Sequence, residues 1–354
     1  MMAQIYADIK KDGKWSGSRI NVYNDKIYYQ NQKATDAGKE KNAEELEIAV
    51  KADISVYTSL KKVKEYEYEV VYDSLDYDYA KAYFEENNTP ISGSCSAMRQ
   101  GNFVGRNYDW KLDYVPSFIV RTPNCQGHKA VIGTASNLSG LTRDVVESRK
   151  YSSLYKILPF RLLDGINEDG LMIEDNVVPS QGNTQTVPTV EKRERVSAHM
   201  LLRYMLDKFS TVDEAVDYII KYVEVYFPTE FTDAGYDLHW MLSDSNKSVV
   251  MEVINNAIVV TEQQIMTNFH INGVTFKEDG SVYTNVDAAS GILPTTMGRD
   301  AHGSGLERYN KLNAVKESVV DAESMREAMN NIFYSNAYTI TEPLTDVWCS
   351  EFSV

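Results

Sequence analysis

Two stretches show the clearest hydrophobic periodicity. From Ser197 to Lys208 the residues Met200, Leu201, Tyr204 and Met205 recur at helical spacing. From Val212 to Val223 the residues Ala215, Val216, Ile219 and Ile220 form a second apolar stripe. Thr211-Val212-Asp213-Glu214 reads as a capping box that opens the second helix. Helices with one apolar face need a surface to cover, and the chain offers strands. Leu238 to Leu242, Val249 to Val253 and Ala257 to Thr261 form a meander with polar turns at 243–247 and at Asn255-Asn256, and it closes on a run from Ile265 to His270. Phe118 to Val120 and Ala130 to Gly133 read as buried strands, and Phe160 to Ile173 as a hairpin turning at Asn167 to Gly170. Gly303 to Tyr309 opens a helix running to about Val320. Asp321 starts another, to about Phe333, and Val347 to Ser353 reads as a last strand. The pattern alone supports a mixed α/β protein with largely antiparallel sheets.

Residues 1 to 94 read differently from the rest. Ile20 to Tyr23 and Lys26 to Tyr29 form a hairpin about Asn24-Asp25, Asp36 to Glu45 reads as a charged loop, and Glu65 to Tyr72 alternates as a half-exposed strand does. Tyr77 to Glu86 reads as a short helix broken by Asn87-Asn88-Thr89-Pro90. Asp73, Asp76 and Asp78 lack the spacing and the glycine of a calcium loop, so they read as a solvated face.

Composition narrows the partners. The 354 residues suffice for a large core in one or two domains. A net charge of -15 argues against nucleic acid, whose phosphates would be repelled. Three cysteines, Cys95, Cys125 and Cys349, are too few and too scattered for a disulfide framework or a zinc site. Cys125 lies in a loop and Cys349 in the last strand, the latter as a packed residue. No apolar run is long enough for a membrane span, which takes about 20 residues. The first residues carry no signal-peptide pattern, so the reading is a reduced, cytoplasmic protein.

The candidate chemistry lies at Gly93 to Trp110. Cys95 sits among Gly93, Ser94 and Ser96, and Gln100-Gly101-Asn102 is a short turn between two strand-like runs. If the strands pair across it, Arg106 and Asn107 lie opposite Cys95 and Ser96, within a residue of register. Asp109 follows Asn107 on the same face of its strand. A thiol, a guanidinium and a carboxylate then converge, which suits a thiolate nucleophile. The plain alternative is an inert, buried cysteine.

Cys95-Ser96 followed by Gly105-Arg106-Asn107-Tyr108-Asp109 resembles the opening of the choloylglycine hydrolase and penicillin V acylase family, the cysteine N-terminal-nucleophile (Ntn) hydrolases. The resemblance implies an α+β fold, a four-layer αββα sandwich of Ntn-hydrolase type with largely antiparallel sheets. It implies self-cleavage at Ser94–Cys95, with residues 1–94 a propeptide or small chain and 95–354 the catalytic domain. Catalytic positions carry over to Cys95, Arg106, Asp109, Asn268 as an oxyanion donor at the end of the 265–270 run, and Arg308 in Ser304-x-x-x-Arg308-Tyr309. Asn176 is the nearest match to a substrate-binding asparagine, one residue off the best alignment. His270 is unnecessary as a base where a terminal amine does that work. No cofactor and no metal are implied. The implied substrate is a small N-acyl amide, bile-salt-like, penicillin V-like or an N-acyl amine, and the family's tetramers make a homo-oligomer an expectation. An acyltransferase of the same fold, or an unprocessed binding protein whose first 94 residues block Cys95, are the alternatives.

Overall fold

The computed structural model describes residues 3–11, 14–23, 26–30, 57–64, 67–86, 94–109, 116–135, 146, 153–190, 193–228, 235–272, 274–282 and 304–332. The expected loop at 36–45 and the expected strand at 347–353, with Cys349, lie outside these residues.

The chain begins with an antiparallel meander of β1 (Ala3–Lys11), β2 (Lys14–Tyr23) and β3 (Lys26–Gln30). There follow β4 (Tyr57–Lys64), β5 (Glu67–Tyr72) and helix α1 (Tyr77–Glu86). Asp76 Oδ1 accepts a hydrogen bond from Tyr79 N at the start of α1, so at least this aspartate has a local structural task. The nucleophile hairpin is β6 (Ser94–Gln100) and β7 (Phe103–Asp109). Its two-residue turn is Gly101-Asn102, with Gly101 at φ +57°, a conformation that glycine adopts without strain.

Next come β8 (Ser117–Thr122), β9 (Val131–Ala135), β10 (Leu162–Asn167), β11 (Met172–Pro179) and β12 (Glu194–Ser197). The two strongly periodic stretches are α2 (Ala198–Lys208) and α3 (Val212–Tyr222). Thr211 caps α3, its side chain accepting from Glu214 N. After β13 (Val223–Tyr226), the meander is β14 (Tyr236–Ser243), β15 (Ser248–Ile254) and β16 (Ala257–Glu262). The described chain ends with β17 (Ile265–Met266), α4 (Gly305–Val315) and α5 (Ala322–Asn330).

A nine-stranded sheet runs β16-β15-β14-β11-β10-β9-β8-β5-β4, and a small sheet runs β17-β6-β7. All neighbours in the large sheet are antiparallel except β5 and β8. Strand alternation shows how the layers stack. In β14 and β15, Trp240, Leu242, Val249 and Met251 join the core under α2 and α3, whereas Met241 and Val250 pack with Ala97 and Met98 of β6. Both faces of these strands are thus covered, which is why they read as almost unbroken apolar runs. On the far side of the small sheet lie α4 and α5, with Leu306, Tyr309, Leu312, Met325 and Met329 buried against it. The order is α2/α3, large sheet, small sheet, α4/α5: an αββα sandwich.

Two expected elements are shorter than read. The helix from Gly305 stops at Val315, a single 3-10 turn at Lys316–Ser318 follows, and Val319 is extended before Asp321 caps α5. The run expected to be a strand to His270 is a strand only at Ile265–Met266. There it leaves the meander and pairs with Met98 and Ala97 of β6. Beyond Met266, side chains rather than a neighbouring strand take up much of its backbone. No helix among the described residues is long and apolar enough to cross a membrane.

Candidate active site

Cys95 lies one residue into β6 and is buried. The hairpin register pairs Cys95 with Tyr108, Ser96 with Asn107 and Ala97 with Arg106. Arg106 thus stands opposite Ala97, within the one residue of register left open. Cys95 and Ala97 share a face of β6, so Arg106 still stands on the thiol's side. Asp109 pairs with Ser94 in the backbone ladder, and its side chain lies outside the described residues.

Two polar side chains converge on residue 95 from elsewhere in the chain. Asn268, just past β17, accepts from Cys95 N through Oδ1 at 2.9 Å. The same oxygen accepts from Arg308 Nη2 at 2.6 Å. Arg308, on the first turn of α4 and wholly buried, also donates from Nη1 to Cys95 O at 2.7 Å and to the Ser96 hydroxyl. Asn268 Nδ2 donates to Val177 O at 2.8 Å. An amide with two donors on its oxygen and a carbonyl on its nitrogen has only one sensible orientation. Asn268 thus presents its carbonyl oxygen to Cys95 N, and one of its two amide protons, the group expected to serve an oxyanion, is committed to β11. The close fit has a cause in the sequence. A Cβ on Gly305 would lie 3.0 Å from Asn268 N, so a larger residue there would press on the backbone that carries Asn268. Thr267 Oγ1 donates to Gly305 O at 2.7 Å and ties the two together.

Arg106 comes from β7 into a ring of carboxyl groups on the large sheet. Nη1 meets Asp164 Oδ2 at 2.9 Å and Nη2 donates to Asp175 O at 2.6 Å, while carboxylate oxygens of Glu174 and Asp175 lie 3.8 Å away. Burial works against the guanidinium charge. Asp164, then Cys95, then Asp175 more than offset it, so the group is held above its ordinary range and stays cationic. Asp164 is fixed from behind by Thr134, whose N and Oγ1 both donate to Oδ1. Burial raises Glu174 well above the usual carboxylate range and moves Asp175 up to about 7, against the pull of Arg106.

A pH dependence follows for Asp175. Below about pH 4 the residue is protonated folded and unfolded. Between there and pH 7 only the unfolded chain releases the proton, so stability falls as pH rises. Above 7 the cost levels off, at about 4 kcal/mol. Asp175→Asn is expected to raise the thermal midpoint at pH 8 and to leave it unchanged at pH 4. Calorimetry at the two pH values checks this, and an equal gain at both would refute the assignment.

Asn176 is buried on β11, and its Nδ2 reaches the carbonyls of Met266 and Thr267 only at 3.4 and 3.5 Å. The expected turn at Asn167 is a latch. Its Oδ1 accepts from Asp169 N and Leu171 N, and its Nδ2 donates to Leu206 O and Phe209 O at the end of α2. A cavity of about 230 Å³ opens at the far end of the hairpin, by Gly101 and Asn102, away from Cys95. Its charged side chains are already engaged: Arg99 with Ser245 O, Asp244 with Val212 N and Lys247 N, Asp169 with Lys129 and Ser210.

Sequence reasoning missed Asp164, Glu174, Asp175, Ser96, His239 and Glu252. All but Ser96 interrupt apolar strand runs that are buried on both faces, and that interruption is the signal. A charge in such a run needs a buried partner.

An αββα sandwich with a buried cysteine at the start of a central strand is the architecture of an Ntn hydrolase. The profile of the linear amide C–N hydrolases, choloylglycine hydrolase family, matches residues 95–292, more than half of the chain, and the chain belongs to that family. Its members hydrolyse linear amide C–N bonds. Among solved structures, the chain is similar to a cysteine-to-alanine variant of conjugated bile acid hydrolase from Clostridium perfringens, at 16% identity and a TM-score of 0.43 over 68% of this chain and 78% of that one. It is also similar to penicillin V acylase from Agrobacterium tumefaciens, at 16% identity and a TM-score of 0.37 over 73% and 71%. No curated protein matches it in sequence.

Proposed function

We propose that this chain is a cysteine amidase that cleaves itself at Ser94–Cys95 and then hydrolyses a small N-acyl amide through a Cys95 thioester. The observation that carries the reading is the double role of Asn268 Oδ1, which faces both Cys95 N and Arg308 Nη2. A nucleophile whose own backbone nitrogen is held by a buried acceptor is arranged for that nitrogen to become a functional group. That the family match begins at Cys95 supports the same reading.

In the first step Cys95 Sγ attacks the Ser94 carbonyl carbon and the acyl group moves from nitrogen to sulfur. Water then hydrolyses the thioester and frees the α-amine of Cys95. A terminal amine has a reference pKa of about 7.7–8.0 and a thiol of about 8.5, so the amine can take the thiol proton near neutral pH. Asn268 Oδ1 would orient the amine and Arg106 would favour the thiolate. Asp109, beside Ser94 in the ladder, would assist in holding amine or substrate. The thiolate attacks the substrate carbonyl, the amine product leaves, and water clears the acyl thioester. The remaining Asn268 amide proton and Asn176 would serve the oxyanion, where one lost donor costs about 2.7–4 kcal/mol. Arg308 would hold residue 95 and Asn268 in place. Residues 1–94 would remain as a bound small chain, since β5 pairs with β8 and Phe84 lies in the core.

The intact mass of the purified protein tests the reading, alongside p-nitroaniline release from a phenoxyacetyl p-nitroanilide. A fragment beginning at Cys95 together with hydrolysis is the expected result. An uncut chain without turnover would favour the binding-protein alternative. Transfer of the acyl group to added hydroxylamine in preference to water would favour the acyltransferase.

A further inference from the structure

Glu252 interrupts the apolar run Val249-Val250-Met251-Glu252-Val253 of β15 and is wholly buried. Its Oε1 accepts from Ile271 N at 3.0 Å and its Oε2 from Asn272 N at 2.8 Å. The same Oε1 lies 3.3 Å from His239 Nδ1 and 3.2 Å from His270 Nδ1. The far nitrogen of each ring meets a carbonyl: His239 Nε2 and Thr267 O at 2.8 Å, His270 Nε2 and Pro179 O at 2.9 Å. These atoms bracket Asn268. Thr267 O belongs to the peptide directly before it, Ile271 and Asn272 follow it, and Pro179 ends the strand whose Val177 O takes its Nδ2.

We propose that His239, Glu252 and His270 form a clamp that positions Asn268 against Cys95 N, with His239 the positioning residue that acts most directly on it. The proposal rests on the assignment of Cys95 as nucleophile. Strand pairing ends at Met266, so the backbone of 267–272 is set largely by this cluster and by the Thr267 hydroxyl on Gly305. Only a protonated imidazole can donate from both nitrogens. Burial opposes charge on both rings. Glu252 overcomes it for His270, which is raised above the usual histidine value, with Asp237 adding to the pull, while burial and the neighbouring His270 keep His239 below it. Burial also opposes the Glu252 charge, but the two histidines bring its carboxyl down to about 2. His239 faces an acceptor at each nitrogen, and its shorter contact is the one to Thr267 O.

The test compares His239→Leu, which removes the donor to Thr267 O, with His239→Gln, whose amide can reach the same carbonyl. The readout is kcat and KM for phenoxyacetyl p-nitroanilide, per cleaved chain counted by intact mass. His239→Leu is expected to lower kcat by about 10- to 100-fold with KM within about twofold, as a misplacement on the order of 1 Å does. His239→Gln is expected to recover most of that kcat. Should the leucine variant not fold, His239→Asn, whose shorter amide cannot reach, takes its place. Wild-type kcat in the leucine or asparagine variant overturns the clamp, and so does a glutamine variant as slow as they are. Cys95→Ala in the same assay separates the two failures: turnover there overturns the nucleophile itself, whereas its absence beside an unaffected His239 series overturns the clamp alone.

Discussion

Cys95→Ala is expected to yield a folded, uncut and inactive protein. The bonds that hold residue 95 use its backbone, with N donating to Asn268 Oδ1 and O accepting from Arg308 Nη1. Alanine keeps both atoms, so the residue should stay where it is. What goes is one sulfur atom from a buried site, a change worth about 1 kcal/mol. The chemistry has no such tolerance. Without Sγ there is no attack on the Ser94 carbonyl and no thioester, and loss of a catalytic nucleophile typically costs on the order of 10⁶-fold in kcat. The contrast between a small thermal shift and a complete loss of cleavage and turnover distinguishes a nucleophile from a packing cysteine. Intact mass, a melting curve and p-nitroaniline release make the comparison. A cut chain or measurable turnover in the alanine variant would remove Cys95 from the mechanism. The same loss accompanied by unfolding would leave the packing role standing.

Much of the fold could be read because its signals are local. Capping residues announce themselves one turn from the helices they start, as Thr211 and Glu214 do for α3. The hairpin was legible from Gly101-Asn102 between two strands, with one residue of register left open. Ala97, the observed partner of Arg106, is two positions from Cys95, and a step of two keeps a side chain on the same face. Long-range pairings had no such signature. Nothing local in Ile265–Met266 says that it leaves one sheet for another. Nothing in Glu67–Tyr72 says that it pairs in parallel with a strand beginning at Ser117. The site followed the same division. Cys95, Asn268 and Arg308 come together, while the groups around them come from distant strands. Asp164, Asp175 and Glu252 are visible in the sequence only as charges where the pattern calls for apolar residues.

Deleting residues 1–94 is expected to leave a chain that does not fold. Read as sequence, that segment is a propeptide or small chain. In the fold, part of it supplies β4, β5 and α1. Tyr68, Val70, Tyr72, Leu75 and Phe84 are all buried, and Tyr72 donates to Tyr155 O across the core at 2.6 Å. Tyr77 donates to Asp207 on α2, and Phe84 stacks on His199 of the same helix with centroids 5.6 Å apart. Each fully buried large apolar side chain contributes about 1.5–3 kcal/mol, so these five together reach roughly 7–15 kcal/mol, as much as the whole stability of a typical domain. The cut would also expose β8, with Phe118 and Val120, as a bare sheet edge of the kind that aggregates. Residues 95–354 produced alone should therefore be insoluble or unfolded by circular dichroism, and co-production with residues 1–94 should restore a soluble pair. Cleavage at Ser94–Cys95, by contrast, breaks one peptide bond and none of these contacts, so a self-cleaved enzyme should retain its first chain through gel filtration. A soluble, active 95–354 fragment would refute this and return residues 57–86 to the status of a dispensable leader.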